Sequence, residues 1–242
     1  MAAQPPTKTE ARARERNRQI QAMFGRIVPR YDRMNRIMSF GMDGGWRGRA
    51  IEAAEPQGKR VLDLGTGTGD LARELMRASA ALVCGADFAP EMLRAASHRF
   101  VDAGRCAWIA ADGHRLPFAD GSFDVVTNAF VLRNLVHLPL VFQELARVLR
   151  PGGRVVCLDM TPVPAGIFSM VFGLYFNRIM PPIAGLLSGD RAAYRYLSNS
   201  LAGFPNADAL SVMLRDAGFR EVRYHRLGGG TVALHIGVSG VR

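Results

Sequence analysis

Acidic residues and cysteines are scarce in this sequence, and it has no long uninterrupted apolar run. Against 31 lysines and arginines stand 21 aspartates and glutamates, which leaves a formal net charge of +10. Such an excess points to nucleic acid or an anionic bilayer, or to neither where the charge is spread over the surface. Three cysteines occur, Cys84, Cys106 and Cys157, each inside an apolar run and without the spacing of a disulfide pair or a metal site. They read as buried, reduced thiols of a cytoplasmic protein. The five histidines also lack ligand spacing, so no metal is expected. The most apolar stretch, 162–189, is broken by Asn177, Arg178 and Pro181-Pro182. It falls short of the about 20 continuous apolar residues that a transmembrane helix needs. No apolar segment follows the basic residues near the start of the chain, so a secretory signal is not expected.

What is present is enough for a full core. At 242 residues and 48% hydrophobic content, one large domain is expected. Residues 1–19 are polar and Arg-rich and read as a flexible basic arm. Residues 20–242 read as a single domain, with an N-terminal helical segment over 20–55 and a helical lid insertion over 161–205. Apolar runs at Arg60–Leu64, Ala81–Ala86, Ala107–Ala111, Phe123–Phe130 and Arg154–Asp159 predict five strands. Helical patterns over Asp70–Ala78, Pro90–Ala103 and Leu138–Leu149 separate them, the last stopped by Pro151-Gly152-Gly153. Asn206 then caps a helix ending near Ala217-Gly218, and strands over Glu221–Leu227 and Thr231–Val238 are joined by Gly228-Gly229-Gly230. The alternation predicts a doubly wound α/β fold, Rossmann-like, with a mostly parallel seven-stranded sheet and a C-terminal antiparallel strand.

The run Val61-Leu62-Asp63-Leu64-Gly65-Thr66-Gly67-Thr68-Gly69-Asp70 leads from the first strand through a glycine-rich turn into a helix. Glycines 65, 67 and 69 let a ligand lie against bare backbone at the carboxyl edge of the sheet. A dinucleotide fold would want glycine at position 70, where its pyrophosphate meets the helix N-terminus, but this chain has aspartate there. Asp63 and Asp70 would repel a diphosphate in a partly desolvated cleft. S-adenosylmethionine has no phosphate and carries two positive groups against one carboxylate, so an acidic loop suits it. Asp87 ends the second strand, where it can accept both ribose hydroxyl protons, or cap the helix before Pro90, or do both. Asp112 ends the third strand and can accept the adenine amino proton, with the Gly113 backbone serving a ring nitrogen.

These motifs, with others along the chain, make the sequence resemble the class I methyltransferases. Within them it is similar to the UbiE/MenG family of quinone-biosynthesis C-methyltransferases. The resemblance runs from about Phe24 to Gly237 through Tyr31-Asp32-Arg33-Met34-Asn35, Ser39-Phe40-Gly41, Trp46-Arg47, the glycine loop, RLPFADGSFD, Leu132-Arg133-Asn134 and RVLRPGGR. It continues through Tyr194-Arg195-Tyr196-Leu197, Phe204-Pro205, AGF at 217–219 and Thr231-Val232-Ala233-Leu234-His235-Ile236-Gly237. It implies methyl transfer from S-adenosylmethionine to a ring carbon of a polyprenylated quinol, typically demethylmenaquinol to menaquinol. It also implies cofactor contacts at Thr68, Asp87, Asp112 and Gly113, and a fourth at Ala129, where the family commonly has serine. The pair Gly44-Gly45 is a departure from the family pattern, and the family's usual glutamate after the fifth strand is Asp159 here.

Methylating an aromatic carbon requires a quinol hydroxyl to lose its proton as the carbon attacks the sulfonium methyl. Arg133 and Asn134 follow the fourth strand at the expected edge. Arginine stays protonated and suits stabilisation of a developing phenolate, or it pairs with an acid on a neighbouring helix. Tyr31, Asp159 and His235 are further candidates, each equally compatible with a structural role. Phe168, Met170, Phe172, Leu174 and Phe176 make the 161–205 insertion a candidate cap, or a lid that meets an isoprenoid tail at the bilayer. Arginines 12, 14, 16, 18, 26, 30, 33 and 36 would favour anionic lipid by about 1 kcal/mol each near its surface, so peripheral contact with the inner face of the membrane is expected. No nucleic-acid partner is expected, because the place after the fourth strand reads Asn128-Ala129-Phe130-Val131 and the arm lacks interleaved aromatics. The oligomeric state stays open, a homo-oligomer included.

Overall fold

A computed structural model describes residues 28, 34–100, 104–164, 166, 170, 173, 174, 178, 200, 201 and 203–240. Among these lie strands β1 (Arg60–Leu64), β2 (Leu82–Asp87), β3 (Cys106–Ala110), β4 (Phe123–Ala129), β5 (Leu149–Met160), β6 (Phe219–Leu227) and β7 (Val232–Ser239). The helices are α1 (Asp43–Ala54), α2 (Asp70–Arg77), α3 (Pro90–Arg99), α4 (Leu138–Val148) and α5 (Ala207–Asp216). The basic arm, Tyr31 and most of the 161–205 insertion lie outside the described residues.

The strands form one sheet in the order β3-β2-β1-β4-β5-β7-β6. β1 to β5 pair in parallel, while β7 runs antiparallel to both β5 and β6, one strand in from the edge. Successive strand residues point to opposite faces, so neighbours such as Val61 and Leu62 feed two separate cores. On one face Leu62, Val126 and Val155 meet Phe142 and Leu145 of α4 and Leu210 and Leu214 of α5. On the other, Val61, Val125 and Val156 meet Ala50 of α1 and Leu71 and Leu75 of α2. The buried positions Val141, Phe142, Leu145 and Val148 recur at helical spacing along α4, which holds its apolar stripe on the sheet. Strand order reverses between β1 and β4, and the crevice beyond their carboxyl ends is where such sheets bind ligands.

The chain departs from the sequence reading in three places. β5 begins at Leu149 rather than Arg154: Phe123 pairs with Leu149 and Val125 with Arg154, so Pro151-Gly152-Gly153 bulges out of a continuing strand. Glycine is required there, because a Cβ on Gly153 would lie 2.8 Å from the Arg150 carbonyl oxygen. α3 ends at Arg99, short of the expected Ala103. The 20–55 segment is broken by a turn, with Phe40 and Gly41 both left-handed (φ 52° and 74°) between the helical residues 34–38 and α1. Asn206 caps α5 as expected, its side-chain oxygen accepting the Ala209 N–H at 2.8 Å.

Candidate active site

The glycine loop is held open by its own backbone. Gly65, Gly67 and Gly69 all adopt positive φ, and the N–H groups of Gly65 and Thr66 donate to the Ala86 carbonyl of β2 at 2.7 and 3.1 Å. A Cβ on Gly65 would lie 2.4 Å from Val131, which closes the cleft from the β4 side. Below the loop sits Asp63, 1% exposed, accepting the hydroxyl protons of Thr66 at 2.8 Å and Thr127 at 3.0 Å. Burial pushes its carboxyl up to about 7, against the pull of those two hydrogen bonds. Asp63 therefore fixes the loop and titrates in the neutral range.

Leu64, Gly65, Gly67, Asp87, Asp112, Gly113, Ala129 and Asn134 line a single cleft, closed by Met92, Val131, Leu135 and Val136. Asp87 ties the glycine loop to the start of the next helix. One oxygen accepts the Gly67 N–H and the other the Ala89 N–H at the start of α3, each at 2.8 Å, and the Phe88 N–H also donates to this carboxylate. Burial raises its pKa, and these backbone donors offset part of that. On Asp112 one oxygen takes the His114 N–H at 3.0 Å and lies 2.5 Å from His114 Nδ1. His114 Nε2 meets the Val136 carbonyl oxygen. Both ring partners are oxygen acceptors, an arrangement that favours the protonated imidazole. The Asp112 hydrogen bond raises the His114 pKa, and His114 in turn lowers that of Asp112. His114 thus straps the loop after β3 to the loop that follows Arg133 and Asn134.

A smaller compartment adjoins this cleft, lined by Asp63, Gly65, Thr66, Gly67, Thr68, Asp70, Ala129, Phe130 and Arg47. Arg47 reaches it from α1, held by Asp43 one turn earlier, which also accepts the Ser39 hydroxyl at 2.9 Å. Asp70 is engaged by Arg99 at 3.3 Å. One guanidinium, two carboxyls and a ring of loop backbone make a site for a zwitterion.

At the end of β4, Arg133 lies in the turn Leu132–Asn134 and pairs with Asp159 of β5 at 2.5 Å, both side chains under 10% exposed. Its partner is a strand residue, not the helical acid that sequence suggested as the alternative. The Met160 N–H donates to the same Asp159 oxygen at 2.8 Å. Asp159 Oδ2, Arg133 Nε, Asn134 Oδ1 and Thr161 Oγ1 are buried without a hydrogen-bond partner among the described residues. His235 is placed differently. It faces Cys157 across the β5–β7 ladder, and its Nε2 donates to the Ala207 carbonyl of α5 at 2.9 Å. Burial lowers its pKa, so it is neutral and ties α5 to the sheet. Tyr31 lies outside the described residues. Burial pushes the thiols of Cys84 to about 11 and of Cys106 and Cys157 to about 12, which leaves no thiolate at neutral pH.

Sequence reasoning assigned no role to Arg47, His114 or Phe130. The spacing Asp43–Arg47 was a readable helix pair, but what placed Arg47 at the loop was the packing of α1 across the sheet.

The chain is similar to known proteins in fold and in sequence. A solved S-adenosylmethionine-dependent methyltransferase from Mesorhizobium loti superposes with a TM-score of 0.60 at 20% identity, covering 82% of this chain and all of that one, a likeness of fold. A demethylmenaquinone methyltransferase from Thermus thermophilus is 49% identical over 218 residues, 89% of this chain and 99% of that protein. A ubiquinone/menaquinone biosynthesis C-methyltransferase UbiE from Desulfotalea psychrophila is 41% identical over 222 residues, covering 91% and 90%. Residues 11–239 match the ubiE/COQ5 methyltransferase family, and with relatives this similar over nearly their whole length, the chain belongs to that family.

Proposed function

We propose that this enzyme transfers a methyl group from S-adenosylmethionine to a ring carbon of a polyprenylated quinol, converting demethylmenaquinol to menaquinol. The observation that carries the reading is the two-compartment cleft at the switch point, acidic where a nucleoside would lie and zwitterion-matched where an amino acid would lie. The residues fit the cofactor on structural grounds: Gly65 has no room for a Cβ, and the carboxylates of Asp87 and Asp112 line the cleft. When bound, S-adenosylmethionine supplies an electrophilic methyl on a positively charged sulfur.

The chain's own residues divide the remaining work. Asp87 would hold the ribose hydroxyls, Asp112 the adenine amino group and the Gly113 backbone a ring nitrogen, while Thr68 and Ala129 flank the loop. Arg47 would pair with the cofactor's carboxylate. Asn134 Oδ1, buried on the cleft wall and unpartnered among the described residues, is positioned to accept a quinol hydroxyl proton. Arg133 would stabilise negative charge on the quinol oxygen, and the free Oδ2 of Asp159 is the buried acceptor to which the proton would pass.

A polyprenyl quinol resides in the bilayer, so the reading includes peripheral contact with the membrane surface. No helix among the described residues is long and apolar enough to cross a membrane. Ile37, Phe40 and Met42 are exposed beside the exposed Arg36 and Arg49, which supports docking onto anionic lipid. Vesicle sedimentation that depends on anionic lipid and salt is the expected result for that contact.

Incubation with methyl-labelled S-adenosylmethionine and, in parallel, demethylmenaquinol, the unmethylated ubiquinol precursor and RNA tests the whole. Label in demethylmenaquinol is expected. Label in the ubiquinol precursor alone would move the assignment to ubiquinone biosynthesis, and label in RNA with untouched quinols would refute it.

A further inference from the structure

Four residues line both compartments of the cleft: Gly65, Gly67, Ala129 and Phe130. Of these, Phe130 alone carries a side chain beyond Cβ. In S-adenosylmethionine the sulfur joins the nucleoside to the amino acid, so a ligand that fills both compartments puts its sulfonium at their junction. Phe130 is therefore the one side chain beyond Cβ at the junction where the sulfonium would lie.

Its geometry is also unusual. Phe130 has φ 60°, a left-handed conformation that a bulky residue avoids, and it is fixed there by its N–H donating to the Leu158 carbonyl at 2.8 Å. The ring is held by Trp46, with centroids 6.3 Å apart, and has the guanidinium carbons of Arg47 and Arg133 at 5.9 and 5.7 Å from its centre. Each guanidinium is already paired with a carboxylate, Asp43 and Asp159 respectively, and both lie near the outer limit of a cation–π contact. Trp46 and the two carboxylate-paired arginines thus fix the ring at the junction of the two compartments.

We infer that Phe130 is a binding residue for the sulfonium, its ring attracting the positive sulfur and holding the methyl toward Arg133 and Asn134. The inference rests on the placement of the cofactor proposed above. Transfer leaves the sulfur a neutral thioether, so the same ring attracts the substrate form and not the product form, which favours product release.

Calorimetric titration of the full-length chain with S-adenosylmethionine and S-adenosylhomocysteine tests this without any methyl acceptor. Phe130→Leu should weaken S-adenosylmethionine by about tenfold while S-adenosylhomocysteine changes by less than about twofold. Pentafluorophenylalanine at position 130 keeps the ring's shape, reverses its quadrupole and should act like the leucine variant; thermal melting verifies that both are folded. Equal weakening of both ligands, or of neither, would overturn the inference and leave Phe130 a packing residue. Failure of the wild-type chain to bind either ligand would instead overturn the cofactor placement, and the inference with it.

Discussion

Asp63 sits at the centre of the site and titrates where few carboxyls do, so Asp63→Asn has a calculable effect. The side chain is 1% exposed, and burial moves its carboxyl from an ordinary 3.8 to about 7. That difference is worth about 4 kcal/mol between the protonated and ionised forms. The folded-state pKa lies above the unfolded one, so the folded chain holds this proton more tightly. The stabilisation is fully present below about pH 4 and is lost as pH rises through about 7. An asparagine stays neutral throughout; its oxygen accepts one threonine hydroxyl and its amide donates to the other. Without ligand, Asp63→Asn should match the wild type near pH 4 and exceed it at pH 8 by up to about 4 kcal/mol, or about 10 °C in Tm for a chain of this length. Differential scanning calorimetry of both proteins from pH 4 to 8.5 measures this. Parallel Tm curves would refute the assignment of a buried, neutral-range carboxyl at this position. In the wild type, binding of a cationic ligand should release protons near pH 7, visible as a binding enthalpy that depends on the buffer.

Other perturbations follow from the same contacts. Arg133→Met leaves Asp159 a buried charge without its partner and should cost about 3–5 kcal/mol in urea unfolding, much of it recovered when Asp159→Leu is added, with methyl transfer lost in both proteins. Gly65→Ala brings a Cβ to 2.4 Å from Val131 at φ 68°, so it should destabilise by about 1–3 kcal/mol and weaken the cofactor; Val131→Ala in the same chain should restore part of both, as measured by melting and titration. The His114 imidazole should titrate above its ordinary 6.5 by NMR. Its contribution to stability is complete below about 6.5 and fades as pH rises through the raised value, a dependence that His114→Gln should remove.

Much of this architecture was readable from local pattern. Apolar runs between helical periods mark the strands because the central strands are buried on both faces, as at Val61, Leu62, Val125 and Val126. Asp63, Asp87 and Asp112 stand out because each lies at or just beside the carboxyl end of a strand on the same edge of a parallel sheet. Other features depend on the third dimension. The bulge in β5 was hidden because Pro151-Gly152-Gly153 is as good a helix stop as it is a bulge, and only pairing with β4 decides between them. The roles of Arg47 and Phe130 arise from α1 crossing the sheet beside the loop, a contact between segments far apart in sequence. His235 carried a family motif, but its ring lies against α5, where Nε2 donates to the Ala207 carbonyl, rather than in the cleft.

The central claim is that the acceptor atom is a quinol ring carbon. Reaction of the protein with S-adenosylmethionine carrying a 13C methyl and with demethylmenaquinol, followed by NMR of the extracted quinone, reads that atom directly. The account predicts a single labelled methyl bonded to the ring carbon, together with one equivalent of S-adenosylhomocysteine. A labelled methyl on a quinol oxygen, or turnover of the cofactor with no label in the quinone, would contradict it.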